Sequence, residues 1–195
     1  FTLPSTGSGA RRVRDVCSGD APEMDQVEEL LLRQDGVITR GQVLAVGRSP
    51  TYVARRLRRR EWVRVHPGVY VAHTGPLTWR QRAWAAVLAC RPAALAGASA
   101  LTAHDPRARP PASGSPIEII VPQGRRPPDL PGVWARECRR FGSSVQLAAS
   151  PPRQRYDDAV IDLADRAATD LTAIGVLADA CGGRRTTPTR LLECV

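Results

Sequence analysis

Between Asp25 and Val71 the spacing of apolar residues changes several times, and each change marks the border of an element. Val27, Leu30 and Leu31, continued by Gln34, recur at helical intervals and Gly36 supplies a stop, so a first helix is predicted over Asp25–Gln34. Thr39-Arg40-Gly41-Gln42 has the T-x-x-Q form of a capping box, in which threonine and glutamine side chains each satisfy one orphan N–H; Val43, Leu44 and Val46 then give a short second helix an apolar side. Gly47 closes that helix, and only Arg48 separates it from Ser49, which can cap the next one, while Pro50 suits a first helical position. At roughly 100° per residue Val53 and Leu57 share one face of this third helix. Arg48, Thr51, Tyr52, Arg55, Arg58 and Arg59 project from the other. The helix is predicted to fail near Glu61, because Trp62-Val63-Arg64-Val65-His66 has a period of two, Pro67-Gly68 has the chemistry of a type II turn, and Val69-Tyr70-Val71 returns. Two helices across a glycine turn, followed by a hairpin, predict a winged helix-turn-helix.

Beyond the hairpin, Thr78-Trp79-Arg80-Gln81 repeats the cap, and Ala83, Trp84, Val87 and Leu88 form a stripe that ends at Arg91-Pro92. Trp79 and Trp84 read as core residues rather than as a base-stacking platform. An alanine-rich helix is expected from Ala93 to His104. Pro/Gly-rich stretches 105–116 and 122–132 flank Ile117–Val121, a buried strand, with Val133–Cys138 as its partner. Arg155–Ala167 places Ala159, Val160, Leu163 and Ala164 on one helical face, and Leu171, Ile174, Leu177 and Ala178 make a second helix. Asp158, Asp162 and Asp165 lie mostly off the first face and read as a solvated acidic surface, since no histidine or lysine accompanies them to build a metal site. The fold class is therefore α+β: a winged helix-turn-helix over 24–75, then a smaller mixed α/β domain over 77–195 with a helical C-terminal end. Residues 1–23, rich in Gly, Ser, Pro and charge without periodicity, are a disordered tail or an upstream extension before Met24.

Charge sharpens the picture. All 28 basic residues are arginine, a bias that a GC-rich genome explains first, although the guanidinium fork also suits phosphates and guanine edges. Gly36–His104 carries eleven arginines and one acid, Glu61, a net +10, while the remainder nets −1 of the total +9. Such a concentrated basic segment is the footprint of a nucleic-acid binder. On this reading Arg48, Thr51, Tyr52, Arg55 and Arg59 face a DNA groove, and Ser49 and Arg58 belong to the same DNA-binding surface. Arg56, Arg60, Arg64 and His66 reach phosphates from the helix flank, its end and the wing. The five cysteines are odd in number and never paired as C-x-x-C, which fits reduced thiols in a cytosol. His66 and His73 have no cysteine nearby and read as turn or surface residues. No run approaches the roughly 18 apolar residues of a membrane span. A cytoplasmic protein without metal or cofactor is expected.

The run Trp62-Val63-Arg64-Val65-His66-Pro67-Gly68-Val69-Tyr70, preceded by Gly36-Val37-Ile38-Thr39-Arg40, resembles the N-terminal winged-helix domain of the AbiEi antitoxins of type IV toxin–antitoxin systems, especially actinobacterial members, over about 24–105. That resemblance implies a repressor that binds inverted repeats in its own promoter and opposes a nucleotidyltransferase toxin without a stable complex. Many such relatives continue into a domain resembling very-short-patch-repair endonucleases, whose metal site needs an Asp and a Glu-x-Lys. No lysine occurs in this chain, so that triad cannot be complete and no catalysis is expected. Two other readings stay open: the DNA-targeting part of a truncated nuclease of that kind, and a basic module that binds RNA or an acidic protein.

Overall fold

The computed structural model describes residues 25–105, 107, 111–112 and 114–194; the expected tail over 1–23 and Cys17 lie outside them. The described residues open with α1 (Gln26–Arg33), β1 (Val37–Thr39), α2 (Arg40–Ala45) and α3 (Pro50–Arg58), followed by the wing strands β2 (Val63–His66) and β3 (Val69–Val71). The Thr39 hydroxyl accepts the Gln42 N–H at 3.1 Å and the Gln42 carboxamide accepts the Thr39 N–H at 3.0 Å, completing the capping box. Gly47, at φ 79°, turns the chain from α2 towards α3. Strand β1 is an addition to the sequence reading. It pairs antiparallel with β3 to give the order β1-β3-β2. Three residues, the last of them the Thr39 cap itself, are too few to display a period of two.

This small sheet is covered on both faces. Ile38 and Tyr70 pack with Val27, Val43, Tyr52, Val53 and Trp62, which forms the core beneath α1–α3. Val37, Val69 and Val71 point the other way, against Trp84, Ala85 and Leu88 of α4 (Trp79–Ala89). The opposite side of α4, with Trp79, Ala83, Ala86 and Val87, packs on Leu95, Ile117, Ile119 and Val121 of a second sheet. α4 is thus buried on both sides, as the nearly continuous apolar run Ala83–Cys90 requires. Asp35, in the turn after α1, fixes it further. Its carboxylate accepts the Trp84 indole N–H at 2.9 Å and pairs with Arg80 at 3.1 Å, while its carbonyl accepts the Gln81 amide at 3.0 Å.

The second sheet comprises β4 (Ala94–Leu95), β5 (Ile117–Pro122), β6 (Val133–Cys138), β7 (Val145–Gln146) and β8 (Arg153–Gln154), in the order β6-β5-β4-β8-β7 with β5 and β6 parallel. Around it lie α5 (Gly97–His104), α6 (Phe141–Ser144), α7 (Tyr156–Asp165), α8 (Asp170–Gly182) and α9 (Pro188–Leu192). The alanine-rich helix expected from Ala93 begins only at Gly97. Ala94 and Leu95 instead form the central strand, between β5 and β8, where sheet pairing overrides the helical preference of alanine. The stripe assigned to α8 is also corrected. Leu171 and Ile174 are 80% and 60% exposed, whereas Val176, Leu177 and Ala180 pack towards α7, because this helix is apolar around most of its circumference and spacing does not identify the buried side. Nor is the acidic surface of α7 simply solvated: Asp162 pairs with Arg136 at 2.6 Å and Arg166 at 3.3 Å.

Candidate nucleic-acid interface

Helix α3 owes its position to Val53, only 3% exposed, and Leu57, which packs beside it. Its N-terminus departs from expectation: Ser49 occupies the cap position but makes no capping bond, and its hydroxyl lies 2.7 Å from that of Thr51. Its C-terminus closes as a Schellman turn, in which the Arg60 N–H donates to the Leu57 carbonyl and the Glu61 N–H to the Arg56 carbonyl, both at 3.0 Å. Arg60 occupies the left-handed position of that turn at φ 56°, where glycine is the usual residue.

Arg48, Ser49, Thr51, Arg55, Arg58, Arg59 and Arg60 are exposed, as is Arg64 on β2. Gly47, Arg48, Ser49, Thr51, Tyr52, Arg55 and Arg58 line an open groove of about 470 Å³ at the junction of α2 and α3. Arg48 pairs with Asp25 at 2.8 Å, and the hydrogen bond from Arg48 holds the Asp25 carboxyl below its usual range. Among the described residues, no ion pair within 4.0 Å restrains Arg55, Arg58, Arg60 or Arg64.

Three assigned residues sit differently. Tyr52 is only 9% exposed instead of projecting from the cationic face, with its ring edge-on to Trp62 at 5.9 Å. One residue before Val53, it is about 100° around the helix, on the flank of a buried face wider than the Val53–Leu57 line suggests. Arg56 lies on the same flank. Its guanidinium donates to the Tyr52 hydroxyl at 2.9 Å and to Glu61 at 2.5 Å, and the bond to Arg56 depresses the Glu61 pKa. It is therefore held by its own chain rather than reaching outward. His66 is only 9% exposed, and its burial lowers its pKa, so the neutral form is favoured. A period of two puts His66 on the side of exposed Arg64, but the ladder slips between them: Arg64 faces Tyr70 and His66 faces Val69. This β-bulge reverses the alternation and turns His66 inward. His73 is partly buried, with Nε2 at 3.0 Å from the Gln81 side-chain oxygen. The sequence reading missed the roles of Asp25 and Glu61; as the one acid in the +10 segment, Glu61 was the available signal.

Among the described residues, no group of three or more His, Cys, Asp or Glu is placed to hold a metal ion, and no helix is long and apolar enough to cross a membrane. Cys90, Cys138, Cys181 and Cys194 are free. Residues 25–73 match the family model described as a transcriptional regulator, AbiEi antitoxin. The match spans α1 to the end of the wing and establishes the family resemblance for that segment. No curated protein matches the chain.

Proposed function

We propose that this protein is a sequence-specific DNA-binding repressor that acts in the cytoplasm as an AbiEi-like antitoxin, with α3 in the major groove and the wing on the adjoining backbone. The supporting observation is the set of exposed arginines along and beside α3, with Arg48 just before its cap, Arg55 and Arg58 on the helix and Arg59 at its C-cap, while the opposite side of the helix is anchored in a core. Arg55 lies farthest from the Val53–Leu57 face and meets base edges, where a bidentate contact to guanine contributes roughly 1–3 kcal/mol of discrimination. Arg64 on the first wing strand meets phosphate. The regulatory role follows the family of residues 25–73. From the same likeness we infer that the operator is an inverted repeat in the protein's own promoter and that the toxin it opposes is a nucleotidyltransferase, with no stable complex between them. The chain performs no catalysis in this reading.

The test begins with selection of a preferred duplex from a random pool by the full chain. Affinities of the wild type, Arg55→Ala and Arg64→Ala are then measured on that duplex and on a scrambled one across a salt series. Arg55→Ala should lose the preference. Arg64→Ala should weaken both duplexes alike and reduce the salt slope by about one. Failure to enrich any duplex, or a preference erased by Arg64→Ala alone, contradicts the assignment.

A further inference from the structure

We infer that Tyr52 is a positioning residue for DNA readout: its buried ring holds the Arg48 and Arg55 guanidinium groups in place and couples the recognition helix to the wing. The inference rests on the proposed DNA-binding role of α3 and adds a residue that acts without touching DNA. Three guanidinium carbons surround the ring, those of Arg48, Arg55 and Arg56 lying 5.5, 5.6 and 5.1 Å from its centroid. These distances are within reach of cation–π attraction. The ring cannot yield, because it is buried against Trp62, and Trp62 in turn stacks on Tyr70 of β3 at 6.1 Å and 25°.

The three arginines are also held differently. Arg56 is bound by the Tyr52 hydroxyl and Glu61, and Arg48 pairs with Asp25 while staying exposed, whereas Arg55 stands exposed beside the groove with no ion pair among the described residues. A long arginine side chain loses considerable rotamer freedom when it is fixed on a base. A rigid aromatic neighbour reduces that loss in advance, which favours binding and makes the contact geometry more selective. The Tyr52–Trp62–Tyr70 contact line gives the wing a physical connection to the same arginines.

The experiment uses the full chain, its selected duplex and a scrambled duplex. Tyr52→Leu keeps apolar bulk and every charge but removes the ring, so the preference should fall roughly fivefold. The salt slope should be unchanged, because no phosphate-neutralising charge is lost. Tyr52→Phe keeps the ring and should keep the preference. If Tyr52 acts through Arg48 and Arg55, adding Tyr52→Leu to Arg48→Ala/Arg55→Ala should leave the remaining affinity for the selected duplex unchanged. Multiplying losses, or an intact preference in Tyr52→Leu, overturns the inference. Should the leucine variant fail to fold, the wild-type chain gives the answer by NMR: ring-current shifts on the side-chain protons of Arg48 and Arg55 support the inference, and their absence overturns it. A wild-type chain with no preference for any duplex would instead overturn the DNA-reading role itself.

Discussion

Asp35 is the residue through which the winged helix is most directly fixed to α4, and its removal has a calculable cost. The Trp84 indole N–H donates to its carboxylate at 2.9 Å, and Trp84 is only 8% exposed. In Asp35→Ala that buried donor loses its partner, at a cost of about 1–3 kcal/mol. The Arg80 pair, whose side chains are 51% and 34% exposed, is screened and adds roughly 0–1 kcal/mol. Asp35 also sits at φ 52°, a left-handed conformation that Asp and Asn tolerate better than alanine. Together these effects place Asp35→Ala about 2–4 kcal/mol below the wild type. Asp35→Asn keeps an acceptor for Trp84 and the backbone preference, so it should lose about 1 kcal/mol or less. Urea unfolding followed by tryptophan fluorescence and far-UV circular dichroism measures both. An alanine variant within about 0.5 kcal/mol of the wild type, or asparagine as costly as alanine, refutes the reasoning.

Arg60→Gly should stabilise the chain by about 1 kcal/mol, because the residue occupies the left-handed position of the α3 Schellman turn. It should also weaken duplex binding by removing a cation, and an unchanged or lower Tm contradicts the first expectation. Burial lowers the pKa of His66 and His104 below the ordinary 6.5. The unfolded chain therefore takes up more protons as pH falls below about 6.5, and folding stability contributed by these neutral histidines is lost in that direction. Thermal unfolding should show Tm falling between about pH 7 and 5, with a flatter profile in His66→Gln/His104→Gln; a wild-type Tm constant across that window refutes it.

Local signals were legible where a few adjacent residues carry the mechanism. Thr39-x-x-Gln42 and Thr78-x-x-Gln81 form the capping boxes expected of them, and Pro67-Gly68 turns the wing with Gly68 at φ 73°. Where tertiary partners decide, spacing failed. Ala94 and Leu95 become a central strand because β5 and β8 lie beside them, and α8 buries Val176 and Leu177 because α7 packs on that side. At the candidate interface the exposed arginines were legible from helical phase. Arg56 was not, because its restraint by Glu61 depends on how the chain folds back after α3. His66 was hidden by the bulge, a one-residue slip that composition does not announce.

The central claim, that α3 and the wing meet DNA, is tested most directly by titrating the isotope-labelled full chain with its selected duplex and following the amide resonances by NMR. The account predicts the largest changes over residues 48–60 and around Arg64, with a disproportionate response at Arg55, and little change over α7–α9. Changes concentrated over α7–α9, with α3 and the wing unaffected, would contradict it.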